Sequence, residues 1–244
     1  MSNPPSTGVR PVHAIDADMT VTPELLKALQ AFLSFIDVGV GIQEIFDVEN
    51  ALAKQEVLTS QITYLKSHPE IAQLFEERYI GPTPDLQELL QLPEDSLGFT
   101  YASNLRAVNY QQDFFPEVEV KDDQSYYVQR MRQTHDIWHT VSGYGLTDFG
   151  GIGLAGFQFA NNRDPLAVIL IAGAILNLIK TQSDYLNPII LVIQQGYHAG
   201  YKAKPFLGQK WEEAWEKPLA EWRSELNVSP LRYQSFQEAA LAAV

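Results

Sequence analysis

Residues 129–156 read QRMRQTHDIWHTVSGYGLTDFGGIGLAG and join a helical pattern to a run dense in glycine. Side chains three and four positions apart lie on one face of an α-helix. The helix predicted here is therefore polar on one face and apolar on the other. The polar face holds Arg132, His135, Asp136 and His139, and the apolar face holds Tyr127, Met131, Ile137, Trp138 and Val141. This arrangement indicates a packed helix whose polar face forms the floor of a pocket.

The polar face contains a candidate metal site. The spacing His135-x-x-x-His139 occurs by chance in many helices that bind nothing, so by itself it is weak evidence. Asp136 strengthens it, because imidazole and carboxylate together are an ordinary ligand set for divalent cations. The sequence therefore predicts a divalent metal, either zinc, magnesium, manganese or iron, on His135, Asp136 and His139.

Composition limits the classes of protein to which the chain can belong. Its 244 residues with 45% hydrophobic content suit one domain with a large core. A net charge of −13 argues against a nucleic-acid partner, whose phosphates require a basic face. With no cysteine, the chain has no disulfide, thiol nucleophile or cysteine-type zinc site. The N-terminus does not resemble a targeting segment, so the expected location is the cytoplasm, with contact at the periphery of a membrane left open.

Helix signals recur along the chain, and strand patterns are nearly absent. Asp122 or Asp123 is the predicted cap of the metal helix, Gly143 its end, and Thr147 or Asp148 the start of the next helix. Pro218 is expected to kink or split a last helix beginning near Trp211. We predict an all-α, single-domain multi-helix bundle. Residues 1–20 are predicted to form a loose arm, 21–228 the helical domain and 229–244 a C-terminal tail.

Two apolar helices follow the glycine-dense run. Asp164-Pro165 and Asn187-Pro188 are read as cap and first-turn pairs that begin them. The longest apolar run, residues 166–178, is shorter than the roughly 20 residues that cross a bilayer. A buried apolar pair is the expected structure, and a sleeve for an isoprenoid chain is the alternative. The glycines indicate close approach of two helices or a wall for a ligand. Candidate lipid-lining residues are Gly150, Gly153, Gly156, Ile190, Ile193 and Tyr197.

The segment YYVQRMRQTHDIWHTVSGYG resembles the signature region of the Coq4 family of coenzyme Q biosynthesis proteins. That family's motif is His-Asp-x-x-His, eleven residues, then Glu. His135, Asp136 and His139 match it, and Gln129, Arg130 and Arg132 match upstream positions. Similarity extends to LPEDSLGFTYA and WEEAWEKPLAEWRSELNV. The family's Glu position falls on Gly151, which has no side chain to offer a metal.

The resemblance implies an all-α protein that binds a polyprenyl lipid and belongs to a complex modifying a prenylated benzoate ring. Arg132 is predicted to pair with a carboxylate or phosphate on the head group, and Arg130 to form a structural ion pair. The fourth metal ligand stays open. The candidates are Glu212, Glu213, Tyr144, Asp148 and Gln158.

Three function classes follow. The first is a metal-dependent oxidative decarboxylase or hydroxylase of a prenylated benzoate ring. The second is a non-catalytic scaffold that binds an isoprenoid or prenylated quinone precursor and organises biosynthetic partners, with a homodimer among the expected assemblies. The third, a His-Asp type hydrolase, is disfavoured because His13, His68 and His198 offer no convincing partner pair.

Overall fold

The computed structural model describes residues 23–38, 42–52, 56–109 and 117–230. Within these ranges the regular structure is helical, and strand pairing is limited to an isolated bridge between Ser96 and Pro218. The predicted all-α fold is thereby confirmed. The predicted arm (1–20) and the tail from residue 231 onward lie outside the described residues.

Eleven α-helices are present in the described ranges. They are α1 Pro23–Val38, α2 Ile42–Leu52, α3 Glu56–Leu65, α4 Pro69–Glu77, α5 Leu86–Leu89, α6 Leu97–Ala107, α7 Asp123–Ser142, α8 Asp148–Asn162, α9 Pro165–Thr181, α10 Leu186–Lys202 and α11 Leu219–Glu225.

The ends of the central helices follow the predicted signals. The Asp122 carboxylate accepts a hydrogen bond from the Ser125 N–H at the start of α7, and Gly143 ends that helix with a left-handed φ of 81°. The Thr147 hydroxyl accepts from the Gly150 N–H at the start of α8. Asp164 caps α9 by accepting from the Leu166 N–H.

Two helix boundaries show how neighbouring residues alter a simple pattern. Helix α10 begins at Leu186, directly after a 3₁₀ turn, so Asn187 is not its N-cap and Pro188 lies in its first turn. Proline is tolerated there because the first N–H groups of a helix have no intrahelical acceptor. Pro218 divides the C-terminal block, as expected: a 3₁₀ turn, Trp211–Glu213, precedes it and α11 follows it.

Helix α7 lies at the centre of the fold, against α3, α6, α8 and α11. Its Trp138 side chain is fully buried and packs edge-on against Phe206 at 5.2 Å between ring centroids. Phe206 in turn contacts Phe157 of α8 and Trp211. This aromatic cluster anchors the apolar face of α7, and it fixes the direction in which the opposite, polar face points.

Helices α8 and α10 form the most extensive helix contact in the described chain, and glycine makes that contact possible. A Cβ at Gly156 would lie 2.6 Å from the Ile193 carbonyl oxygen, and Cβ atoms at Gly196 and Gly200 would come even closer to α8 carbonyl oxygens. Close helix approach, the first of the two interpretations of the glycine-dense run, is therefore present.

The apolar pair α9 and α10 is buried on one side only. Ile189 and Val192 are buried, whereas Ile179, Ile190 and Tyr201 are at least half exposed. Within the described residues, no helix combines the length and apolar content needed to cross a membrane.

Candidate metal centre

Three potential metal ligands meet on the polar face of α7. The ligand atoms of His135, Asp136 and His139 all lie within 4.8 Å of one another. Asp136 and His139 are buried, and His135 is partly exposed. The face predicted to be a pocket floor is thus largely covered by protein, with His135 nearest to solvent. Helical geometry explains the cluster, because its members are one to four residues apart.

Hydrogen bonds set the orientation of both imidazole rings. The Nδ1 atom of His139 lies 2.7 Å from the Tyr144 carbonyl oxygen, so Nδ1–H donates and Nε2 carries a lone pair. The Nε2 atoms of His139 and His135 are 3.2 Å apart. The other nitrogen of His135, Nδ1, lies 3.3 Å from the Gln158 side-chain nitrogen. Both rings therefore turn Nε2 toward the same point.

This donor set fits a divalent cation. A zinc ion bound at about 2.0–2.1 Å by two imidazoles in tetrahedral geometry needs nitrogens roughly 3.3 Å apart, close to the observed Nε2 separation. Burial lowers the pKa of both His135 and His139 to about 4, and the neighbouring His135 adds to the effect at His139. Both rings are therefore neutral near pH 7, as a metal ligand must be.

Gly151, the position of the family's Glu, has open space beside it. A Cβ built at this glycine, in the first turns of α8, meets no atom within 4 Å. No other His, Asp or Glu joins the three-ligand group in the part of the chain that the structure describes. Of the candidates named from sequence, Gln158 contacts His135, Tyr144 presents its carbonyl to His139, and Asp148 is exposed.

Glu212, another candidate for the fourth ligand, pairs with an arginine. Its carboxylate forms an ion pair with Arg130, and both side chains are about 1% exposed. Arg130 also donates to Gln133 and to the Gln209 carbonyl. Arg130 therefore belongs to a structural ion pair, in agreement with the interpretation of its position on α7.

Arg132, the predicted head-group residue, is engaged by α2. Its guanidinium donates to the Glu49 carboxylate through Nε at 3.0 Å and also through Nη2. The guanidinium carbon lies 4.6 Å from the centre of the Phe46 ring. Burial raises the pKa of Glu49, while Arg132 opposes that shift. The arginine thus lies one turn before the potential metal ligands, and its guanidinium already pairs with a carboxylate.

The candidate lipid-lining residues divide into two groups. Cβ atoms at Gly150 and Gly153 would strike the Gly145 backbone and the Tyr144 ring, and Gly156 faces α10. These three glycines therefore pack against protein. Ile190 and Tyr197 are about half exposed on α10, and Ile193 is partly buried.

The sequence alone did not assign a role in the site to Glu49 or single out Gln158. Glu49 is 83 positions away from Arg132, and nothing in α2 points to that partner. Gln158 was named only as one of several fourth ligands, but it stands seven positions after Gly151. That spacing places it on the same face of α8, which could have distinguished it from the other candidates.

The model of the protein family described as coenzyme Q (ubiquinone) biosynthesis protein Coq4 matches residues 22–232 of this chain. This match covers most of the chain, including the His-Asp-x-x-His helix. The chain belongs to the Coq4 family. The match confirms the resemblance to the Coq4 family that the His-Asp-x-x-His segment indicated.

Proteins named for ubiquinone biosynthesis are similar to this chain in sequence. The chain is 30% identical over 171 residues to the rat protein named ubiquinone biosynthesis protein COQ4 homolog, mitochondrial, an alignment that covers 68% of this chain and 63% of the rat protein. It is 28% identical to the COQ4 protein of Debaryomyces hansenii, covering 75% and 59% respectively. The aligned region thus spans about three fifths of these relatives' length.

A crystal structure from Nostoc punctiforme, described as a candidate ubiquinone biosynthesis protein, superposes on this chain with a TM-score of 0.74. It is 32% identical in sequence, and the superposition covers 82% of this chain and 96% of that one. The all-α fold is therefore shared with a solved member of this group.

Proposed function

We propose that this chain is a Coq4-type protein of ubiquinone biosynthesis that binds a prenylated ring precursor or isoprenoid lipid and holds a divalent metal on His135, Asp136 and His139. The observation that carries the proposal is the convergence of these three ligand atoms within 4.8 Å in a member of the Coq4 family. Relatives carry ubiquinone biosynthesis in their names, and this supports the choice of pathway.

The head of the ligand is assigned to the polar face of α7. When bound, a divalent ion supplies Lewis acidity toward ligand oxygens. The Tyr144 carbonyl holds the His139 ring in the tautomer that offers Nε2. A carboxylate or phosphate on the ligand head would compete with Glu49 for the paired donors of Arg132, since these donors suit either anion.

The apolar tail is assigned to the exposed side of α8 and α10. Phe159 follows Gln158 in α8, is 40% exposed, and its ring lies 5.5 Å from that of Tyr197. Ile190 and Tyr201 continue the apolar surface along α10. Aliphatic and aromatic side chains in one strip suit a prenyl chain. We propose that the same exposed side of α8 and α10 also contacts a membrane surface, biosynthetic partners or a second copy of the chain.

A non-catalytic scaffold is the second candidate. It is favoured by Gly151, which gives the ion no fourth protein ligand, and by Arg132, whose donors hold Glu49. A site with three protein ligands also suits catalysis, because it keeps a coordination position for substrate. Turnover distinguishes the two: an enzyme changes a prenylated hydroxybenzoate precursor, whereas a scaffold binds it and releases it unchanged.

The test begins with metal content per chain for the wild type, His139→Ala and His198→Ala. His198 is exposed on α10, outside the three-ligand group, and is the matched control. We expect near-stoichiometric metal in the wild type and in His198→Ala, and loss in His139→Ala. If none of the three binds zinc, manganese, iron or magnesium, the metal site is refuted. Chromatography of prenylated hydroxybenzoate after incubation with the loaded protein then separates the enzyme from the scaffold.

A further inference from the structure

Gln158 is a buried polar side chain, 5% exposed, and the residues immediately before and after it in α8, Phe157 and Phe159, are apolar. Burying an amide without hydrogen bonds is unfavourable, so a partner for this side chain is expected. Its side-chain nitrogen lies 3.3 Å from Nδ1 of His135. The position of Gln158 is set by α8, which the glycine contacts hold against α10.

The hydrogen bonds of His139, His135 and Gln158 determine which ring nitrogen of each histidine carries a proton. Because Nδ1–H of His139 donates to the Tyr144 carbonyl, Nε2 of His139 is an acceptor. Nε2 of His135, 3.2 Å away, must then carry the proton of that contact. Nδ1 of His135 is consequently an acceptor, and it receives the amide N–H of Gln158. A single chain of donors thus runs from Gln158 through both rings to the backbone.

A metal ion requires a different arrangement. Both Nε2 atoms must offer lone pairs to the ion, so the proton of His135 has to reside on Nδ1. Nδ1 changes from acceptor to donor, and the partner facing it must present an oxygen. A glutamine amide can do so by turning through half a rotation about its last side-chain bond, since it carries both a donor and an acceptor.

We infer that Gln158 is the positioning residue of His135, and that its amide turns from donating to Nδ1 in the metal-free protein to accepting from Nδ1–H when the ion is bound. The inference rests on the metal site proposed above. It gives His135 a side-chain partner matching the backbone partner of His139. Outer hydrogen bonds of this kind typically change metal affinity by about 10- to 100-fold.

The first experiment is the Kd for Zn²⁺, measured by chelator competition, in the wild type and three full-length variants. Gln158→Met keeps the length of the side chain without a hydrogen bond and should weaken Zn²⁺ binding about 10- to 100-fold. Gln158→Glu can only accept from Nδ1–H and should bind more tightly than the wild type. Gln194→Met, at an exposed position of α10, is the control and should match the wild type. Far-UV circular dichroism verifies that each variant is folded.

The second experiment reads the tautomer of His135 by ¹⁵N NMR of the imidazole nitrogens. We expect the proton on Nε2 in the metal-free protein and on Nδ1 after addition of Zn²⁺. A Kd of Gln158→Met within twofold of the wild type, or a proton on Nδ1 before Zn²⁺ is added, overturns the inference while the metal site stands. Failure of the wild type to bind Zn²⁺ overturns both.

Discussion

Adding one methyl group to Gly196 is expected to destabilise the protein, although alanine is the better helix former. The new Cβ would lie less than 3.0 Å from the Gly153 carbonyl oxygen and 3.1 Å from the Phe157 nitrogen. These are backbone atoms of α8, so no side chain can rotate away to make room. Relief requires α8 and α10 to separate.

The size of the effect follows from two opposing contributions. Replacing glycine by alanine in a helix favours folding by up to about 1 kcal/mol. Overpacking at a close contact disfavours it by about 1–3 kcal/mol, or more when the backbone must move. Because the close atoms belong to the backbone, we take the upper end of the overpacking range, about 3 kcal/mol, and expect a net loss of about 2 kcal/mol in the free energy of unfolding. For a chain of this size that lowers Tm by roughly 4–8 °C.

Gly151→Ala is the matched control, because a Cβ there meets nothing within 4 Å. The same chemical change should raise stability by about 0.4–1 kcal/mol. Urea denaturation followed by circular dichroism at the helical band measures both variants. Our reasoning about the α8–α10 contact is refuted if Gly196→Ala is as stable as the wild type, or if both variants shift in the same direction.

Three further substitutions, the first with a control, test other parts of the structure by the same denaturation assay. Glu212→Gln leaves Arg130 buried without its counter-charge and should lose about 3–5 kcal/mol, whereas the exposed Glu225→Gln should lose under about 1 kcal/mol. Burial raises the pKa of Asp164 from 3.8 to about 6, so the free energy of unfolding of the wild type falls as the pH rises through this range. Asp164→Asn escapes this loss, and its advantage over the wild type should grow between pH 4 and 6 to about 3 kcal/mol and persist above pH 6. An unchanged gap across that pH range would contradict this assignment. Gly143→Ala forces a side chain into a left-handed φ of 81° and should lose about 1–2 kcal/mol; no loss would mean that this helix end relaxes freely.

The glycine contact and the proposed metal site are connected through α8. Gly153 and Gly156 hold α8 against α10, and Gln158 projects from the same helix toward His135. A displacement of α8 should therefore weaken Zn²⁺ binding as well as stability. The Kd of Gly196→Ala for Zn²⁺, measured by chelator competition, should therefore be higher than that of the wild type.

Much of this protein follows from local sequence. The caps at Asp122, Thr147 and Asp164, the stop at Gly143 and the break at Pro218 depend on side-chain or backbone properties of single residues, so they can be recognised without a structure. The grouping of His135, Asp136 and His139 follows in the same way, because they are within four positions on one helix and helical geometry alone brings them together.

Only the tertiary structure decides the partners of that helix. The pairing of Arg132 with Glu49 and of Arg130 with Glu212 joins residues 83 and 82 positions apart, and Gln158 reaches His135 across two packed helices. Such contacts depend on how the helices are arranged in space, which periodicity along a single helix does not encode. For the same reason, α9 and α10 have an apolar pattern around most of their surface, and it was packing that determined which side became buried.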